Sequence, residues 1–431
     1  MKIYKAKEAA RVPAETVAPN RLLNRRALLR SALFSAGLAA VNVGIADADD
    51  SVGTNAPAWM KTPGKPFSGY GVPAKSQEKV ERIFTVVPGR TGTGSSRTPL
   101  HLLEGTITPN GLHFERHHNG IPDIDPAKHE LFIHGMVKRP LAFSLDVLMR
   151  YPMETHVRFI ECAGNSRAFT EEQPQQATAG ALNGLLSCSE WTGVRLATLL
   201  AEAGVTSEAK WVIAEGADAA AMSRSVPLEK CLDDAVIALF QNGEAIRPEQ
   251  GYPMRLLLPG FEGNMNVKWL RRLKVTDAPM NARDETSHYT ELLPGGKARQ
   301  FMFPQAVKSA ILKPSFGMEM KGRGFYEVSG LAWSGAGRIS KVELSADRGR
   351  TWTRAALNGP VLPKALTRFR LAWKWDGQPS VLMSRATDEA GEVQPTRSEW
   401  LAQYAPKQGY HFNAIQSWSV DADGKVKNLY V

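Results

Sequence analysis

Residues 159–167 have the sequence Phe-Ile-Glu-Cys-Ala-Gly-Asn-Ser-Arg, which is the most distinctive stretch of the chain. An alternating run that predicts a strand ends at Glu161, and Cys162 follows it directly. Gly164 and Asn165 both tolerate left-handed backbone angles, so we expect a sharp turn there. The sequence therefore predicts a cysteine at the point where a strand enters a tight turn.

The chemistry of this turn depends on the charge beside the cysteine. Arg167 adds a positive charge nearby, which is expected to favour the thiolate over the thiol. A thiolate is a soft ligand that suits a redox-active metal. A buried structural cysteine is the alternative, because free cysteines are often buried. From these residues alone, Cys162 is either a metal ligand or a packed side chain.

The segment from residue 101 to residue 300 mixes strand and helix patterns around this turn. It lacks the regular alternation of a βαβ repeat, so we predict an α+β domain with a mixed sheet. Ser144 is expected to cap a short helix that ends at Arg150. The predicted strands cover 130–137, 156–161, 210–214, 235–241, 254–258 and 267–275, and the other predicted helices cover 195–203 and 227–232.

The pattern changes from about Val307 onward, where short strand candidates follow one another with Gly, Asp, Asn or Pro in the connections. Asp-Arg-Gly at 347–349 predicts a hairpin turn, because glycine adopts positive φ without steric cost. This spacing is typical of an Ig-like β-sandwich, which we place at 301–431 together with a C-terminal tail. The predicted strands cover 325–333, 339–345, 352–357, 369–375 and 380–387.

The composition indicates a folded chain of two or three domains. Its 431 residues are 43% hydrophobic and 22% charged, which excludes collagen-like and wholly disordered classes. Half of the net charge of +10 lies in residues 1–48, so the remainder is only mildly basic. We therefore expect no nucleic-acid partner. An anionic small molecule or an acidic protein partner fits this charge.

The N-terminal residues have the pattern of an export signal. Residues 24–30 contain paired arginines in Asn-Arg-Arg-Ala-Leu-Leu-Arg, and an apolar run at 31–46 and small residues at 46–48 follow. This order predicts a twin-arginine (Tat) signal peptide over 1–48 and a periplasmic mature protein. A retained anchor or an amphipathic segment is the alternative. Because this pathway exports folded proteins, we expect a cofactor that is inserted before export. The sequence after the signal has no stretch long and apolar enough to span a membrane.

The chain has three cysteines, Cys162, Cys188 and Cys231. An odd number leaves at least one thiol unpaired or bound to something else. Their spacing matches no zinc motif. Cys188 and Cys231 are expected to be buried small side chains or, where geometry allows, a disulfide.

Several short motifs occur together in a fixed order, and this ordered set resembles the sulfite oxidase family of molybdopterin enzymes. The likeness covers about residues 101–420. The motifs that carry it are Phe-Glu-Arg-His-His-Asn-Gly-Ile-Pro at 114–122, Glu-Cys-Ala-Gly-Asn-Ser-Arg at 161–167, Gly-Tyr-Pro-Met-Arg at 251–255, Asn-Val-Lys-Trp-Leu at 266–270, Ser-His-Tyr at 287–289 and Gly-Leu-Ala-Trp at 330–333.

The resemblance implies roles for eight residues. Cys162 would supply the protein sulfur to molybdenum, beside two sulfurs from one pyranopterin dithiolene. Arg116, Arg255 and Lys268 would bind a sulfur oxyanion, since a guanidinium can contact two oxygens at once. Lys268 could instead hold the phosphate of the pterin, and Tyr289 would be a polar gate at the metal. The other expected cofactor contacts are His118, Asn165 and Ser225.

Each of these side chains also has an ordinary structural explanation. An isolated arginine more often forms a surface ion pair. A lone histidine such as His118 is more often a satisfied core or surface group, and Tyr289 could be a half-buried ring with a solvated hydroxyl. The ordered motifs favour the functional interpretation.

Two features predict that this chain carries no haem. Residues 49–100, rich in Pro, Gly, Ser and Lys, are predicted to form an extended N-terminal arm, and they contain no histidine. The Cys-x-x-Cys-His motif of c-type haem attachment is absent from the sequence. A separate cytochrome c subunit is therefore the expected electron acceptor.

The arm and the C-terminal tail look most like the Sox-type branch of the family, which acts in thiosulfate oxidation. This likeness implies oxidation of sulfite, or of sulfane sulfur carried on a protein, with oxygen from water. It also implies a homodimer formed through the Ig-like domain, or a heterotetramer with the cytochrome. The alternatives are a molybdopterin reductase that acts on sulfoxides and a cofactor-free Ig-like binding protein.

Overall fold

The computed structural model describes residues 56–405 and 408–431, together with the backbone of a short strand at Leu22–Leu23. The paired arginines and the predicted cleavage site lie outside the described residues. Among the helices that the structure describes, none has the length and apolarity needed to cross a membrane.

A five-stranded mixed sheet forms one layer of the N-terminal half. Glu130–Gly135 and Leu270–Thr276 run parallel at its centre, and its other described pairs are antiparallel. Side chains that alternate along these strands, such as Leu131 and Ile133, are completely buried. The mixed sheet confirms the predicted fold class. Its strand order is Ser223–Pro227, Trp211–Gly216, Leu270–Thr276, Glu130–Gly135 and Leu141–Ser144.

A second, antiparallel sheet carries the cysteine. Its edge strand Met153–Glu161 pairs along its whole length with Leu186–Arg195 and ends one residue before Cys162. A small apolar cluster that includes Ile160 and Trp191 packs beneath this end. The sheet order is Glu244–Ala245, Val236–Gln241, Leu186–Arg195 and Met153–Glu161, and Arg255–Leu257 also pairs with Val236–Gln241.

The predicted extended arm contains regular structure near its end. Ile83–Val86 and Gly94–Arg97 form a hairpin, and the second strand pairs with Glu115–His117. Only Ser96 of the four residues in the second strand is fully buried, so apolar periodicity gave no signal for it. This three-stranded sheet brings the arm against the segment that carries Arg116.

The C-terminal part is a sandwich of two antiparallel sheets, as predicted for an Ig-like domain. A turn at Arg348 and Gly349, both with positive φ, lies where the hairpin was predicted. One sheet contains Lys308–Lys313, Gly324–Trp333 and Thr367–Trp375, with Ala356–Leu357 and Leu22–Leu23 paired to the last of these. The other contains Thr353–Arg354, Ile339–Ser345, Ser380–Asp388, Ser417–Val420 and Val426–Leu429.

The α-helices are short and pack against the sheets. Leu196–Ala203 buries its residues 196, 199, 200 and 203, which lie on one face, and it ends at Gly204 with φ 72°. Ser144 caps the helix Leu145–Leu148 by accepting a hydrogen bond from the backbone N–H of Val147, as predicted. The remaining α-helices among the described residues are Ala179–Asn183, Leu228–Asp233, Arg283–Thr286 and Arg397–Gln403.

Shorter elements complete the connections. Glu291–Leu293 and Lys297–Arg299 form a separate two-stranded sheet. In the part of the chain that the structure describes, the 3₁₀ helices are Ala58–Met60, Lys75–Gln77, Leu100–Leu102, Asn110–Leu112, Arg167–Thr170, Pro248–Gln250, Gly263–Met265 and Pro294–Gly296.

Most predicted strands differ from the observed ones by one to three residues at an end, and two of the differences have a clear structural cause. The strand predicted at 267–275 begins only at Leu270, because Trp269 has φ 52° and breaks the extended backbone before it. The strand predicted at 352–357 is divided into Thr353–Arg354 and Ala356–Leu357, which pair with different sheets of the sandwich.

The two large domains share apolar contacts. The main core cluster of the sandwich includes Trp333 and Phe369, and it also includes Phe159 and Leu186 from the antiparallel sheet that carries the cysteine. Because these residues pack in one cluster, the sandwich supports the strand that leads to Cys162.

Candidate active site

Cys162 lies where the edge strand ends, at the wall of a cavity. Its backbone N–H donates to the carbonyl of Leu185 at 2.9 Å, and its own carbonyl accepts from Asn165 at 2.8 Å. The turn was predicted correctly, but the left-handed residue in it is Ser166, with φ 64°, and neither Gly164 nor Asn165 has positive φ. The sharp change of direction therefore occurs later than expected.

Burial, not a neighbouring cation, dominates the titration of the free Cys162 thiol. Burial raises its pKa, and the N–H of Gly164 and the charge of Arg116 lower it only in part. The expectation that Arg167 favours the thiolate is wrong, since the largest cationic influence comes from Arg116. The Arg167 side chain instead lies against Gly409 in the C-terminal tail.

The cavity beside Cys162 contains about 720 Å³ of empty space, part of it open to solvent. Six of the eight predicted site residues line it, namely Arg116, His118, Cys162, Arg255, Lys268 and Tyr289. The other lining residues are His113, Phe114, Glu115, His117, Ile160, Asp218, Met222, Gln250, Gly263, Asn264, Asn266, Val267 and Trp269.

Arg255 is buried in the cavity wall, with 3% of its surface exposed. Its two terminal nitrogens donate to the carbonyls of Gln250 and Asn266, each at 3.0 Å, while its Nε has no partner in the part of the chain that the structure describes. The guanidinium lies 5.1 Å from the ring of Trp191. Burial lowers the pKa of Arg255 to about 9, which indicates that no nearby negative group offsets the cost of burying its charge.

The Lys268 ammonium is held by three acceptors. It donates to the carbonyls of Arg116 and Glu249 at 3.3 and 3.1 Å, and it lies 2.9 Å from Nδ1 of His117. It also lies 4.3 Å from the Trp269 ring. Burial, and then the charge of Arg255, lower the pKa of Lys268 well below its ordinary value. These contacts fix the ammonium at the cavity wall.

Arg116 is the third cation at the cavity wall. It is half-buried, and its Nη1 donates to the carbonyls of Gly94 and His117. Within the described residues, none of Arg116, Arg255 and Lys268 has a carboxylate within 4.0 Å. Buried cations are seldom left without a partner. The cavity is therefore suited to a group that carries negative charge.

Tyr289 and His118 form a polar pair on the cavity wall. The Tyr289 hydroxyl lies 3.1 Å from Nε2 of His118. Burial raises the pKa of Tyr289 above its usual range, and burial together with Arg116 lowers the pKa of His118 to about 4. At neutral pH both groups are uncharged, so a single proton can be held between the two atoms.

Asn165 and Ser225 are not among the residues that line this cavity, and their assignment as cofactor contacts stays a prediction. Asn165 donates to Oε1 of Glu161 at 2.9 Å, and its side-chain oxygen accepts from the backbone N–H of Leu185. The Ser225 hydroxyl donates to Glu285 at 2.9 Å and accepts from the N–H of Met280. Their polar atoms serve internal hydrogen bonds, so both residues support the surrounding loops.

Cys188 and Cys231 are both completely buried and free, so the disulfide alternative is wrong. Burial raises the pKa of Cys188 to about 12 and that of Cys231 above its usual range. They are packed thiols, as the other alternative predicted.

No role was predicted for His117, which lies at the centre of a chain of polar contacts. Its Nε2 lies 2.8 Å from Glu115 and its Nδ1 faces the Lys268 ammonium. Burial, and then Lys268 and Arg116, lower the pKa of His117 to about 3, so it is neutral and donates to Glu115 while accepting from Lys268. Although Glu115 is close enough for an ion pair, the neutral form is the one that satisfies both contacts.

Comparison with known proteins accounts for this arrangement. A family model described as "Oxidoreductase molybdopterin binding domain" matches residues 118–283, and one described as "Mo-co oxidoreductase dimerisation domain" matches residues 299–417. The crystal structure of the sulfane dehydrogenase SoxCD from Paracoccus pantotrophus has 44% sequence identity and a TM-score of 0.85, covering 89% of this chain and 99% of that chain. The chain belongs to the sulfite oxidase family of molybdopterin oxidoreductases.

More distant members of the sulfite oxidase family match over a smaller share of their own length. Mitochondrial sulfite oxidase of Mus musculus is 31% identical over 69% of this chain and 59% of its own length, and that of Drosophila melanogaster is 32% identical over 78% and 64%. A nitrate reductase [NAD(P)H] of Hordeum vulgare is 30% identical over 71% and 39%. The chain therefore spans about three fifths of the length of these sulfite oxidases.

The residues present fit the molybdenum cofactor of the sulfite oxidase family. A thiol at the wall can supply sulfur to the metal, and three cations that have no carboxylate partner within residues 56–405 and 408–431 can face phosphate or oxyanion oxygens. The buried Nε of Arg255, which has no partner among the described residues, is a donor left free for such a group. The backbone at Gly263 packs closely against Cys162 and forms another part of the wall, since a Cβ on Gly263 would lie 3.2 Å from the Cα of Cys162.

Sequence reasoning missed several other lining residues. Asp218 lies in the loop between two strands and belongs to none of the quoted motifs, so nothing in its neighbourhood marked it. Asn264 lies between the motifs at 251–255 and 266–270, and Asn266 is the first residue of the second motif, although no role was predicted for it.

Proposed function

We propose that this chain is the molybdenum subunit of a sulfite or sulfane dehydrogenase. The observation that carries the proposal is the cavity in which Cys162 faces Arg116, Arg255 and Lys268, none of them paired with a carboxylate among the described residues. A cationic cavity favours an anionic sulfur substrate over a neutral sulfoxide. The likeness to the sulfane dehydrogenase SoxCD supports a sulfur compound as substrate.

When bound, the molybdenum–pterin group would supply the two-electron chemistry that transfers an oxygen atom from water to sulfur. Cys162 would hold the metal through its sulfur. Arg116, with its half-buried guanidinium, would bind and orient the substrate oxyanion at the open side. Arg255 would donate its free Nε–H at the buried side, where hydrogen bonds to charged groups are strong because water is excluded.

Proton transfer would be the task of the Tyr289–His118 pair. The Tyr289 hydroxyl keeps its proton because burial raises its pKa, and His118 is neutral and can accept that proton at Nε2. The ring of Tyr410 lies 5.5 Å from that of Tyr289, and the Arg224 guanidinium lies 5.3 Å from it on another side. These neighbours hold the ring in place, so the hydroxyl stays oriented toward the cavity wall.

The partners and the compartment complete the proposal. We place the mature protein in the periplasm after Tat export, with residues 1–48 as the signal peptide. Electrons would pass one at a time to a separate c-type cytochrome subunit. The Ig-like domain would form a homodimer, which two cytochromes would extend to a heterotetramer; the match to a dimerisation domain supports the dimer.

Metal analysis combined with a substrate screen tests this function. The purified holoprotein should contain molybdenum in a one-to-one ratio with the chain and should reduce ferric cytochrome c with sulfite or with a protein-bound persulfide. Oxidation of a reduced dye by a sulfoxide, without cytochrome reduction, would instead identify the reductase. A folded sample without molybdenum would reject both reactions and leave the cofactor-free binding protein.

A further inference from the structure

The carboxylate of Glu161, one residue before Cys162, is buried and surrounded by donors. Its Oε1 accepts from Asn165 Nδ2 at 2.9 Å and from Lys308 Nζ at 3.0 Å. Its Oε2 accepts from the indole Nε1 of Trp333 at 2.7 Å. Only 3% of Glu161 is exposed, so these donors replace water around its charge.

Two of the three donors come from the Ig-like domain. Lys308 begins one strand of the sandwich and Trp333 ends the neighbouring strand, and the two residues are paired in register. Both side chains are buried, and Lys308 Nζ lies 5.5 Å from the Trp333 ring. A charged group of one domain is therefore satisfied by the other, which makes its position depend on how the domains pack.

The Lys308 ammonium also reaches the far side of the turn. It donates to Ser166 Oγ at 2.7 Å, and Ser166 is the left-handed residue of the Cys162 loop. Ser166 in turn donates to Asn183 at 2.6 Å. One ammonium thus binds the residue before Cys162 and the residue four positions after it, so it closes the loop from outside.

We propose that Glu161 and Lys308 are positioning residues through which the Ig-like domain holds the Cys162 loop in the geometry that presents the thiol to the cavity. Every described partner of the Glu161 carboxylate is a donor, so an amide cannot replace it. In Glu161→Gln, the side-chain NH₂ would face either Trp333 Nε1 or the amino groups of Asn165 and Lys308. In this role of Glu161 and Lys308, the Ig-like domain of the wild-type protein contributes to the active site as well as to dimerisation.

Alkylation of the three free cysteines in the full chain produced without cofactor tests this proposal. Iodoacetamide labelling of Cys162 is followed by mass spectrometry, with the completely buried Cys188 and Cys231 as internal references for global unfolding. The variants are Glu161→Gln and Lys308→Met, and Trp333→Phe keeps an aromatic ring while removing the indole N–H. We expect Cys162 labelling to accelerate about ten-fold in each, because losing a hydrogen bond to a charged group shifts local opening by that order.

Glu161→Gln and Lys308→Met remove charges of opposite sign, so they distinguish a loss of loop geometry from a change in the electrostatic environment of Cys162. Removing the Glu161 carboxylate should lower the pKa of the Cys162 thiol and speed labelling, whereas removing the Lys308 ammonium should raise that pKa and slow it. Faster labelling in both variants therefore supports positioning. Opposite changes in the two variants would overturn the proposal, as would an equal rise at all three cysteines.

A double variant and a matched control complete the experiment. Glu161→Gln with Lys308→Met leaves no unpaired buried charge, so the melting temperature should recover while Cys162 labelling stays fast. If the melting temperature and the rate of Cys162 labelling both returned to their wild-type values, Glu161 and Lys308 would be a merely structural ion pair. Ser309→Ala is the control, because Ser309 is a buried neighbour of Lys308 that bonds Gln394 and Ser384 within the sandwich and should leave Cys162 labelling unchanged.

The labelling assay does not depend on the proposed function, although the inference takes its importance from it. Loss of molybdenum during dialysis of the holoprotein gives a second measurement, and it should be faster in Lys308→Met than in Ser309→Ala. A wild-type protein without molybdenum would contradict the proposed function alone. Unchanged Cys162 labelling in Lys308→Met would contradict the positioning role alone.

Discussion

The Tyr289 hydroxyl lies 3.1 Å from Nε2 of His118, although the two residues are far apart in the sequence. His118 follows the strand Glu115–His117, and Tyr289 lies just after the helix Arg283–Thr286, with φ 53°. The pair exists because these two segments meet at the cavity. Its two uncharged groups can share one proton, which suits them to proton transfer during turnover.

Replacement of Tyr289 by phenylalanine tests this role. Tyr289→Phe keeps the ring that packs beside Tyr410 and Arg224 but removes the hydroxyl. We expect kcat with sulfite to fall about 100-fold, since positioned proton transfer contributes at that level, with a small change in melting temperature. Steady-state kinetics and calorimetry of the same preparation measure both. Unchanged kcat would show that another group moves the proton.

Arg116 and Arg255 should differ when each is replaced by glutamine. Arg116 is half-buried, and among the described residues its side chain donates only to backbone carbonyls, so Arg116→Gln should raise KM for the anion about ten-fold or more with little effect on stability. The measurements are KM at fixed ionic strength and the melting temperature. A fall in melting temperature with unchanged KM would make Arg116 structural.

Arg255→Gln should change both quantities. Its guanidinium donates to the buried carbonyls of Gln250 and Asn266, and the shorter glutamine cannot reach both. An unpaired buried carbonyl costs about 1–3 kcal/mol, so we expect the melting temperature of the holoprotein to fall by several degrees while KM also rises. A rise in KM without destabilisation would show that Arg255 acts only on the substrate.

The sequence predicted the local features of the site better than its tertiary contacts. The strand before Cys162 and the Ser144 cap follow from periodicity and local residue types, which depend on neighbours along the chain. The six lining residues come instead from the motifs that resemble those of the sulfite oxidase family. The acceptors that hold Arg255 and Lys268 are mostly backbone carbonyls. Carbonyls exist at every position, so no pattern of residue types identifies which ones a folded chain brings close.

Long-range pairing explains the other differences. The hairpin Ile83–Val86 with Gly94–Arg97 lies in a segment with little apolar alternation, and it is held by pairing with Glu115–His117. Lys308 is separated from Glu161 by 147 positions. Charges so far apart become partners only after the two domains have packed, so the sequence could suggest the domains but not this contact.

Cys162→Ser should remove molybdenum chemistry without unfolding the chain. The hydroxyl is a harder ligand than a thiolate, whereas the backbone bonds of the loop to Leu185 and Asn165 remain. We expect at least about a 1,000-fold loss of sulfite oxidation, far beyond the effect of a single lost binding contact, with the melting temperature of the cofactor-free chain within a few degrees of wild type. Cys188→Ser is the control, which should retain activity if it folds. Near-normal turnover in Cys162→Ser would reject the ligand assignment.

The stability of the protein should fall in alkaline solution because of His411. Burial alone would lower its pKa, but its contacts with Glu262 at 3.0 Å and Glu291 at 3.1 Å outweigh burial and raise the pKa to about 9. The folded pKa thus exceeds the value of about 6.5 in the unfolded chain, so the stabilisation is complete below pH 6.5 and is lost as the pH rises through 9.

The expected loss from His411 is about 3 kcal/mol between pH 6.5 and pH 9.5, as the shift between the two pKa values dictates. Urea unfolding at several pH values measures it. In His411→Gln this dependence should flatten and the stability at pH 6 should fall, because the imidazolium between Glu262 and Glu291 is lost and, among the described residues, only Arg224 and Arg299 remain as their cationic partners. The exposed His156 provides the control, and His156→Gln should retain the wild-type profile. An unchanged profile in His411→Gln would mean that His411 is uncharged in the folded protein.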